Sequence, residues 1–203
     1  FHVIQLSRQI DWDYVDPETE LSLNQIAINK LLIELLEKKG RKRHIGVLTD
    51  YVCEIVANIL KEYNVTEVYD PCAGSSKLAL FAARNLNPTQ RVSKSKRIVV
   101  NEINPSAIFL TFARFLGSNI SEYEIRQKNS LGGEGLSTER YEASVLFPPI
   151  KVDASQYQGL YPNFPFFMNR DAAPLFLEAA LEAIDNEGVA VAVLPESFLI
   201  GQN

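Results

Sequence analysis

The stretch that decides the fold reads Glu67-Val68-Tyr69-Asp70-Pro71-Cys72-Ala73-Gly74-Ser75-Ser76-Lys77-Leu78. A short run of β-forming residues leads through a turn of small residues into a helical pattern. Such a turn lets a ligand approach the backbone, and the following helix presents free N–H groups at its N-terminus. The simpler interpretation is a tight strand-to-helix turn with Asp70 as a local cap. Both interpretations place Asp70 at the end of a strand.

Short β-rich runs alternate with helical runs from this stretch onward. The predicted strands cover residues 67–69, 97–103, 124–128, 141–146 and 189–194. The predicted helices that follow strands cover residues 77–85, 105–116 and 173–184. This alternation is typical of βαβ units, so the sequence predicts an α/β fold with a mainly parallel sheet.

The region before this alternation has a different pattern. Apolar residues recur near helical spacing through residues 22–39, which predicts an amphipathic helix that ends at Gly40. A further helix is predicted over residues 50–62. We therefore expect a helical N-terminal segment, residues 1–43, followed by one α/β domain, residues 44–203.

Composition narrows the class of protein. The 203 residues are 46% hydrophobic and 22% charged, which is typical of an ordinary domain with a sizeable core. The net charge of −5 argues against a protein that wraps nucleic acid by charge alone, although residues 38–43 and 91–97 are local basic clusters. The two cysteines, Cys53 and Cys72, show no metal-ligand spacing, so we expect neither a metal site nor a disulfide framework.

No feature of the sequence indicates a membrane role. No apolar run approaches the roughly 20 residues that a membrane-spanning helix needs, and the N-terminus lacks a signal-peptide pattern. We expect no membrane partner and a reducing, cytoplasmic setting.

Polar residues follow the second and third predicted strands. In a doubly wound sheet, ligands bind outside the carboxyl ends of the strands. Glu102 is placed to accept hydrogen bonds from both hydroxyls of a ribose, or else it is a surface glutamate near a helix start. Asn129 can hydrogen-bond an adenine edge, or it can simply close the turn. The sequence alone leaves these alternatives open.

The fourth predicted strand is followed by Phe147-Pro148-Pro149-Ile150. Two consecutive prolines remove two backbone donors and stiffen the chain, which also has purely structural uses. Residues 151–172, which are rich in Tyr and Phe among Pro, Gly and Asn, are predicted to form a long aromatic loop. Loops of that length inside compact domains tend to be functional or mobile.

Taken in order, these segments resemble the N6-adenine methylases of type I restriction-modification systems, a branch of the class I methyltransferase fold. Residues 44–50 resemble the family's Gly-x-x-Tyr-Thr-Pro stretch, with Asp50 where proline is expected. Residues 70–76 resemble Asp-Pro-x-x-Gly-Ser-Gly, with Ser76 in place of the final glycine. Residues 101–105 match a Glu-Ile-Asn segment closely, and Asn129 stands where the family has aspartate.

The resemblance implies a Rossmann-like, S-adenosylmethionine-dependent methyltransferase sheet with flanking helices across residues 44–203. It places Thr49 near the methionine end of S-adenosylmethionine and assigns the cofactor's amino-acid part to Asp70 and the Gly74 turn. It assigns the ribose to Glu102 and the cofactor adenine to Asn129. It also implies DNA as the target, together with a specificity subunit and other methylase subunits as partners.

The target side departs from the family at the catalytic tetrapeptide Asn-Pro-Pro-Phe, for which this chain has Phe147, Pro148, Pro149 and Ile150. In the family, the Asn oxygen and a proline carbonyl accept the hydrogens of the adenine amine. Phe147 offers no acceptor. The family's aromatic residue stacks on an adenine that is flipped from the duplex, whereas Ile150 packs without stacking. The resemblance therefore predicts a damaged catalytic position.

Two main hypotheses follow. The chain is an active adenine-N6 DNA methyltransferase subunit with an unusual motif, or a non-catalytic methyltransferase-like module that binds cofactor, DNA or only partner subunits. Methylation of RNA or of a protein glutamine is disfavoured, because the helical N-terminal segment resembles the restriction-system branch. The chain ends at Asn203, where the fold normally adds two more strands, so either the sequence is a fragment or the sheet is completed differently.

Overall fold

The fold is taken from a computed structural model that describes residues 15–16, 21–22, 48–84, 97–116, 118, 120, 122–132, 139–163 and 170–199. In chain order the elements are β1 Val15–Asp16, β2 Leu21–Ser22, α1 Asp50–Lys61, β3 Glu67–Asp70, α2 Lys77–Arg84, β4 Arg97–Glu102, α3 Pro105–Leu116, β5 Glu122–Gln127, β6 Tyr141–Leu146, a 3-10 helix Ala154–Tyr157, α4 Ala173–Glu182, β7 Ile184–Ala192 and α5 Glu196–Leu199.

Five strands form a parallel sheet in the order β5-β4-β3-β6-β7. Strands β3 and β4 are parallel neighbours, with Glu67 opposite Arg97 and Asp70 opposite Val100. Strand β6 lies on the other side of β3, and β7 lies beyond β6. The predicted α/β fold is confirmed, and the strand order reverses direction between β3 and β6. A crevice for a ligand forms at such a switch point, outside the carboxyl ends of the strands.

The central strands are apolar on both faces because helices cover the sheet on both sides. Val68, Ile98 and Val145 contribute to a core cluster that also contains residues of α1, α2 and α3. Leu146 belongs to a second cluster, which includes residues of α4. Tyr69 stacks on Tyr141 with ring centroids 4.5 Å apart. Burial on both faces fixes the register of the strand ends, and these ends carry the polar residues.

The main departure from the predicted boundaries is at β7, which begins at Ile184 rather than at residue 189. Its pairing with β6 shifts register, since Tyr141 lies opposite Ile184 and Ala143 lies opposite Val189. A Cβ atom at Gly188 would lie 2.9 Å from the carbonyl oxygen of Asp185, so only glycine fits there. Residues 185–188 are polar or glycine, so the hydrophobicity pattern does not indicate that the strand begins before residue 189.

The predicted helix over residues 22–39 lies outside the described residues except for Ser22, which is the last residue of β2. Within the predicted loop over residues 151–172, the described part contains the 3-10 helix and an antiparallel bridge between Asp153 and Asp171. None of the helices in the described ranges is long and apolar enough to cross a membrane. The described residues also include no group of three or more His, Cys, Asp or Glu placed to hold a metal ion.

Candidate functional site

A cavity of about 750 Å³ lies at the carboxyl ends of β3, β4, β5 and β6. The residues that line it include eight of the nine predicted site residues: Asp70, Gly74, Glu102, Asn129, Phe147, Pro148, Pro149 and Ile150. The structure therefore brings the predicted cofactor side and the altered tetrapeptide together in one space.

The turn after β3 forms one wall of this cavity. The Cys72 N–H donates to Asp70 Oδ1 over 3.0 Å, and the Ala73 N–H donates to the Asn101 carbonyl over 3.0 Å. Gly74 has a φ of +56°, and a Cβ atom at this position would meet nothing within 4 Å. One side-chain and one backbone acceptor hold the turn, and the position of a Cβ atom at Gly74 is open space.

Glu102 bridges two segments of the wall. Its Oε2 accepts the Gly74 N–H over 2.7 Å, and its Oε1 accepts the Asn104 N–H over 2.7 Å. A carboxylate offers about four acceptor positions, so the bonds from Gly74 and Asn104, with the Ile103 N–H also near the group, leave capacity for a further donor. A ribose hydroxyl is a donor of the right kind for this remaining capacity.

Burial raises the pKa of the acidic groups in the cavity. The pKa of Asp70 rises from 3.8 to about 8, because the carboxyl group is buried and, to a smaller extent, because Glu102 is near. Burial also raises the pKa of Glu102. The pKa of the Cys72 thiol is raised well above its ordinary value by burial and by both carboxylates. A thiol that stays protonated is a poor nucleophile, which disfavours Cys72 as a reacting group.

A buried polar network beneath the cavity was not predicted from the sequence. Asn101 Nδ2 donates to the Tyr69 hydroxyl and to Ser130 Oγ, each over 2.9 Å, and Ser130 Oγ donates to the Pro71 carbonyl over 2.6 Å. The network ties the ends of β3 and β4 to the segment after β5. An asparagine and a serine at strand ends were the only sequence signal, and it was too weak to separate them from turn residues.

Asn129 closes a turn, as one of its two sequence interpretations predicted. Its Oδ1 accepts the Leu131 N–H over 3.1 Å, and its carbonyl accepts the Gly132 N–H over 3.0 Å. The residue also lines the cavity, so its role toward an adenine stays a prediction.

The tetrapeptide after β6 is firmly held. Phe147 is half-buried and packs against the core cluster, Pro148 is buried, and Ile150 is 44% exposed. The next residue, Lys151, has a φ of +65°, and its N–H donates to Asp171 Oδ2 over 2.9 Å. A left-handed conformation is costly for a residue with a side chain, and the Asp171 bond helps to hold it.

The aromatic loop contributes to the cavity as well. Tyr157, at the end of the 3-10 helix, and Phe176, in α4, both line it. Asp153 caps the 3-10 helix by accepting the Ser155 N–H over 3.0 Å. The composition of the loop indicated a functional segment, but it did not single out Tyr157.

Thr49 is the predicted site residue that the structure does not place on the cavity wall. It is exposed and caps α1, and its Oγ1 accepts the Val52 N–H over 3.4 Å. Its neighbour Leu48 lines the cavity instead. Lys77, the first residue of α2, also lines the cavity, and its Nζ donates to the Leu48 carbonyl over 2.7 Å.

Ser76 occupies a position where the resembling family has glycine. Its φ is +55°, the left-handed region that favours glycine, and the residue is fully buried. Ser76 Oγ and Thr111 Oγ1 are 2.9 Å apart, and Thr111 Oγ1 donates to the Gly74 carbonyl over 3.2 Å. The serine hydroxyl therefore helps to brace the same turn, despite the backbone strain that its side chain brings.

These groups fit a nucleoside that carries an amino-acid tail. The remaining acceptor capacity of Glu102 suits a ribose hydroxyl, and the open space at Gly74 admits an approach to the backbone. The cavity has the volume expected of a cofactor site, which is about 300–1,000 Å³. S-adenosylmethionine has both of these chemical parts.

Comparison with known proteins shows the family. The N-6 DNA methylase family matches residues 49–203. The chain belongs to this family. N-6 DNA methylases use S-adenosylmethionine as their methyl donor, and the chemistry of the cavity agrees with that cofactor. No curated protein matches the chain.

Solved structures share the fold at low sequence identity. A putative class I S-adenosylmethionine-dependent methyltransferase from Listeria monocytogenes has a TM-score of 0.70 and 17% identity, over 98% of this chain and 60% of that one. A modification subunit of a putative type I restriction enzyme from Vibrio vulnificus has a TM-score of 0.63 and 19% identity, over 86% and 39%.

A third structure, the methyltransferase subunit of a type I restriction-modification system from Streptococcus thermophilus, has a TM-score of 0.60 and 21% identity. The match covers 75% of this chain and 35% of that one. The sheet is thus that of a class I S-adenosylmethionine-dependent methyltransferase. The chain spans between 35% and 60% of the length of these three structures.

Proposed function

We propose that this chain is the S-adenosylmethionine-binding domain of an adenine-N6 DNA modification system, and that it does not transfer a methyl group to adenine by itself. One observation carries the proposal. The cofactor-side groups Asp70, Gly74 and Glu102 line the same cavity as Phe147, which replaces the hydrogen-bond acceptor of the family's catalytic tetrapeptide.

The cofactor side supports binding through the chain's own groups. Glu102 accepts a ribose hydroxyl with its remaining acceptor capacity, and its bonds to Gly74 and Asn104 fix its orientation. Asp70 and the Gly74 turn receive the amino-acid part. S-adenosylmethionine supplies a methyl group on a positively charged sulfur, and a pocket that excludes water strengthens electrostatic contacts to it.

The target side supports inactivity. Transfer to an adenine amine needs acceptors for the amine hydrogens, and a proline carbonyl is the family's acceptor that this tetrapeptide retains. Phe147 is half-buried against the core and has no polar atom in its side chain. Leaving one amine hydrogen without a partner costs about 1–3 kcal/mol. Each 1.4 kcal/mol in the barrier is about tenfold in rate, so this cost alone lowers the rate by about one to two orders of magnitude, and the lost transition-state contact lowers it further.

DNA is the proposed macromolecular partner. Lys128 and Lys151 both line the cavity, and ammonium groups at a cavity wall suit the phosphates of a strand from which a base is flipped. The basic cluster over residues 38–43 lies outside the described residues, as does the cluster over residues 91–97 except for Arg97, which pairs with Glu67 and Glu124. Both clusters stay predictions as phosphate contacts. A specificity subunit and other methylase subunits are the proposed protein partners, because two of the similar structures are subunits of type I systems.

A second candidate function is a scaffold that binds only partner subunits. It is favoured by the fact that both oxygens of Glu102 already accept backbone N–H groups, so that Glu102 also serves as an internal brace. If the chain is only a scaffold, the cavity binds no cofactor. A titration with S-adenosylhomocysteine therefore distinguishes the two candidate functions.

The experiment on catalysis measures transfer of labelled methyl groups to unmethylated adenine-containing DNA. The chain is assayed beside a double variant, Phe147→Asn with Ile150→Phe, which restores the tetrapeptide. The proposal predicts no transfer by the original chain and a gain in the double variant. A rate in the original chain that equals the rate of the double variant would show that another group supplies the acceptor.

A further inference from the structure

The ammonium group of Lys77 connects α2 to the segment that precedes α1. Its Nζ donates to the Leu48 carbonyl over 2.7 Å and forms an ion pair with Asp50. It also lies 5.9 Å from the centroid of the Phe81 ring. The Lys77 side chain is 16% exposed, whereas that of Asp50 is 71% exposed. A cation with three partners at the start of a helix holds two elements together.

The position of this contact is informative. Lys77 follows the Gly74 turn by three residues, and both Lys77 and Leu48 line the cavity. Asp50 is the last residue of the segment 44–50 and stands where the resembling family has proline. Its ion pair with Lys77 therefore involves one of this chain's own departures from the family pattern.

The body of α1 does not depend on Lys77. Cys53, Val56 and Leu60 are buried in the core cluster and hold the helix against α2. Leu48 precedes the helix, and its side chain is a partly buried member of the same cluster. Removal of the ammonium group thus releases the segment at residues 48–50 while the hydrophobic contacts of α1 stay in place.

We propose that Lys77 is a positioning residue for cofactor binding, which fixes Leu48 as the cavity wall beside the Gly74 turn. This inference rests on the proposed function. The wall adjoins the part of the cavity that receives the cofactor's amino-acid tail, since the Gly74 turn is assigned to that tail and lies beside Lys77 on the cavity wall. Glu102, which receives the ribose, contacts the Gly74 turn but forms no hydrogen bond or ion pair with Lys77 in the described part of the chain.

The test compares two ligands by calorimetric titration. S-adenosylhomocysteine contains the amino-acid tail, and 5′-methylthioadenosine lacks it. In Lys77→Met, we expect the affinity for S-adenosylhomocysteine to fall by about tenfold, which corresponds to about 1.4 kcal/mol. The affinity for 5′-methylthioadenosine should stay within about twofold. Lys77→Arg keeps a donor and a positive charge, so it should rescue most of the binding.

Two further variants keep the test decisive. Lys61→Met removes an exposed lysine from the last turn of α1, and it should leave both affinities unchanged. Asp50→Asn removes the ion pair but leaves the Leu48 contact, so it should weaken S-adenosylhomocysteine binding by a smaller factor than Lys77→Met and leave 5′-methylthioadenosine binding unchanged. If Lys77→Met does not fold, Asp50→Asn carries the test, and unchanged S-adenosylhomocysteine binding in that variant would overturn the positioning role.

The outcomes separate this inference from the function on which it rests. Equal affinities of the original chain and Lys77→Met for S-adenosylhomocysteine would overturn the positioning role. Equal losses for both ligands would also overturn it, because they would indicate a general collapse of the cavity. If the original chain binds neither ligand, the proposed function fails and the positioning role fails with it.

Discussion

The Gly74 N–H donates to Glu102 Oε2 over 2.7 Å, although the two residues are 28 positions apart in the sequence. This bond joins the turn after β3 to the end of β4, because the two strands are parallel neighbours and end at the same edge of the sheet. Glu102 thereby has two functions in the proposal: it shapes the turn, and it offers its remaining acceptor positions to a ribose.

Replacement of Glu102 by Gln should weaken S-adenosylhomocysteine binding by about tenfold or more. Hydrogen bonds to a charged group contribute about 1.5–3 kcal/mol each. The side-chain amide of Gln also places an N–H donor opposite one of the two backbone N–H groups that Glu102 accepts, so one of these hydrogen bonds is lost. Calorimetric titration of the variant against the original chain measures the loss.

Glu142→Gln is the matched control for this experiment. The Glu142 carboxylate accepts the Thr66 N–H over 2.7 Å, but it is not among the residues that line the cavity. Glu142→Gln should therefore bind S-adenosylhomocysteine like the original chain. Similar binding by Glu102→Gln and the original chain would rule out Glu102 as a cofactor ligand.

The contribution of Asp70 to the stability of the chain should fall as the pH rises from about 4 to about 8. Burial raises the pKa of Asp70 from 3.8 to about 8 in the folded state, so folding favours the protonated carboxyl group. Its contribution is fully present below the unfolded pKa and is lost as the pH rises through the folded pKa. Urea unfolding at several pH values measures this dependence.

Asp70→Asn identifies the group that is responsible. The amide does not titrate, and its oxygen can still accept the Cys72 N–H. The variant should become more stable than the original chain as the pH rises. A weaker dependence of stability on pH should remain in the variant, because burial also raises the pKa of Glu102. Parallel stability profiles of the two proteins would refute this assignment to Asp70.

Ser76→Ala should destabilise the fold more than Ser76→Gly does. Both changes remove the hydrogen bond to Thr111, and Ala keeps the strained φ of +55° while Gly relieves it. A left-handed backbone costs a residue with a side chain about 1–2 kcal/mol, and Ser76→Gly removes this cost. Glycine also increases the conformational entropy of the unfolded chain, which cancels part of the stability that is gained. We expect a difference of about 1 kcal/mol by urea unfolding. An alanine variant as stable as the glycine variant would show that Ser76 stores no strain.

Much of the fold could be predicted from the sequence, because buried parallel strands and amphipathic helices have distinct patterns. The bounds of α3 and β6 agree with those predicted, at Pro105–Leu116 and Tyr141–Leu146. The carboxyl ends of parallel strands lie at the same edge of the sheet, so residues that follow different strands meet in space. For this reason eight of the nine predicted site residues share one cavity.

The remaining features depend on contacts that no local pattern encodes. Thr49 is expected near the methionine end of the cofactor, and this stays a prediction; in the structure it caps α1, and its neighbour Leu48 lines the cavity. In the sequence, Lys77 is an ordinary first residue of a helix, and its contact with Leu48 is seen only in the structure. Asn101 is a buried member of a network whose other members come from different strand ends.

The most direct test of the central claim is a calorimetric titration of the unmodified chain with S-adenosylhomocysteine. The proposal predicts saturable binding with one ligand per chain, because Glu102, Asp70 and the Gly74 turn line a single cavity in the described structure. A titration without binding heat at two temperatures, with the chain shown to be folded, would contradict the claim and would leave the scaffold function as the better account.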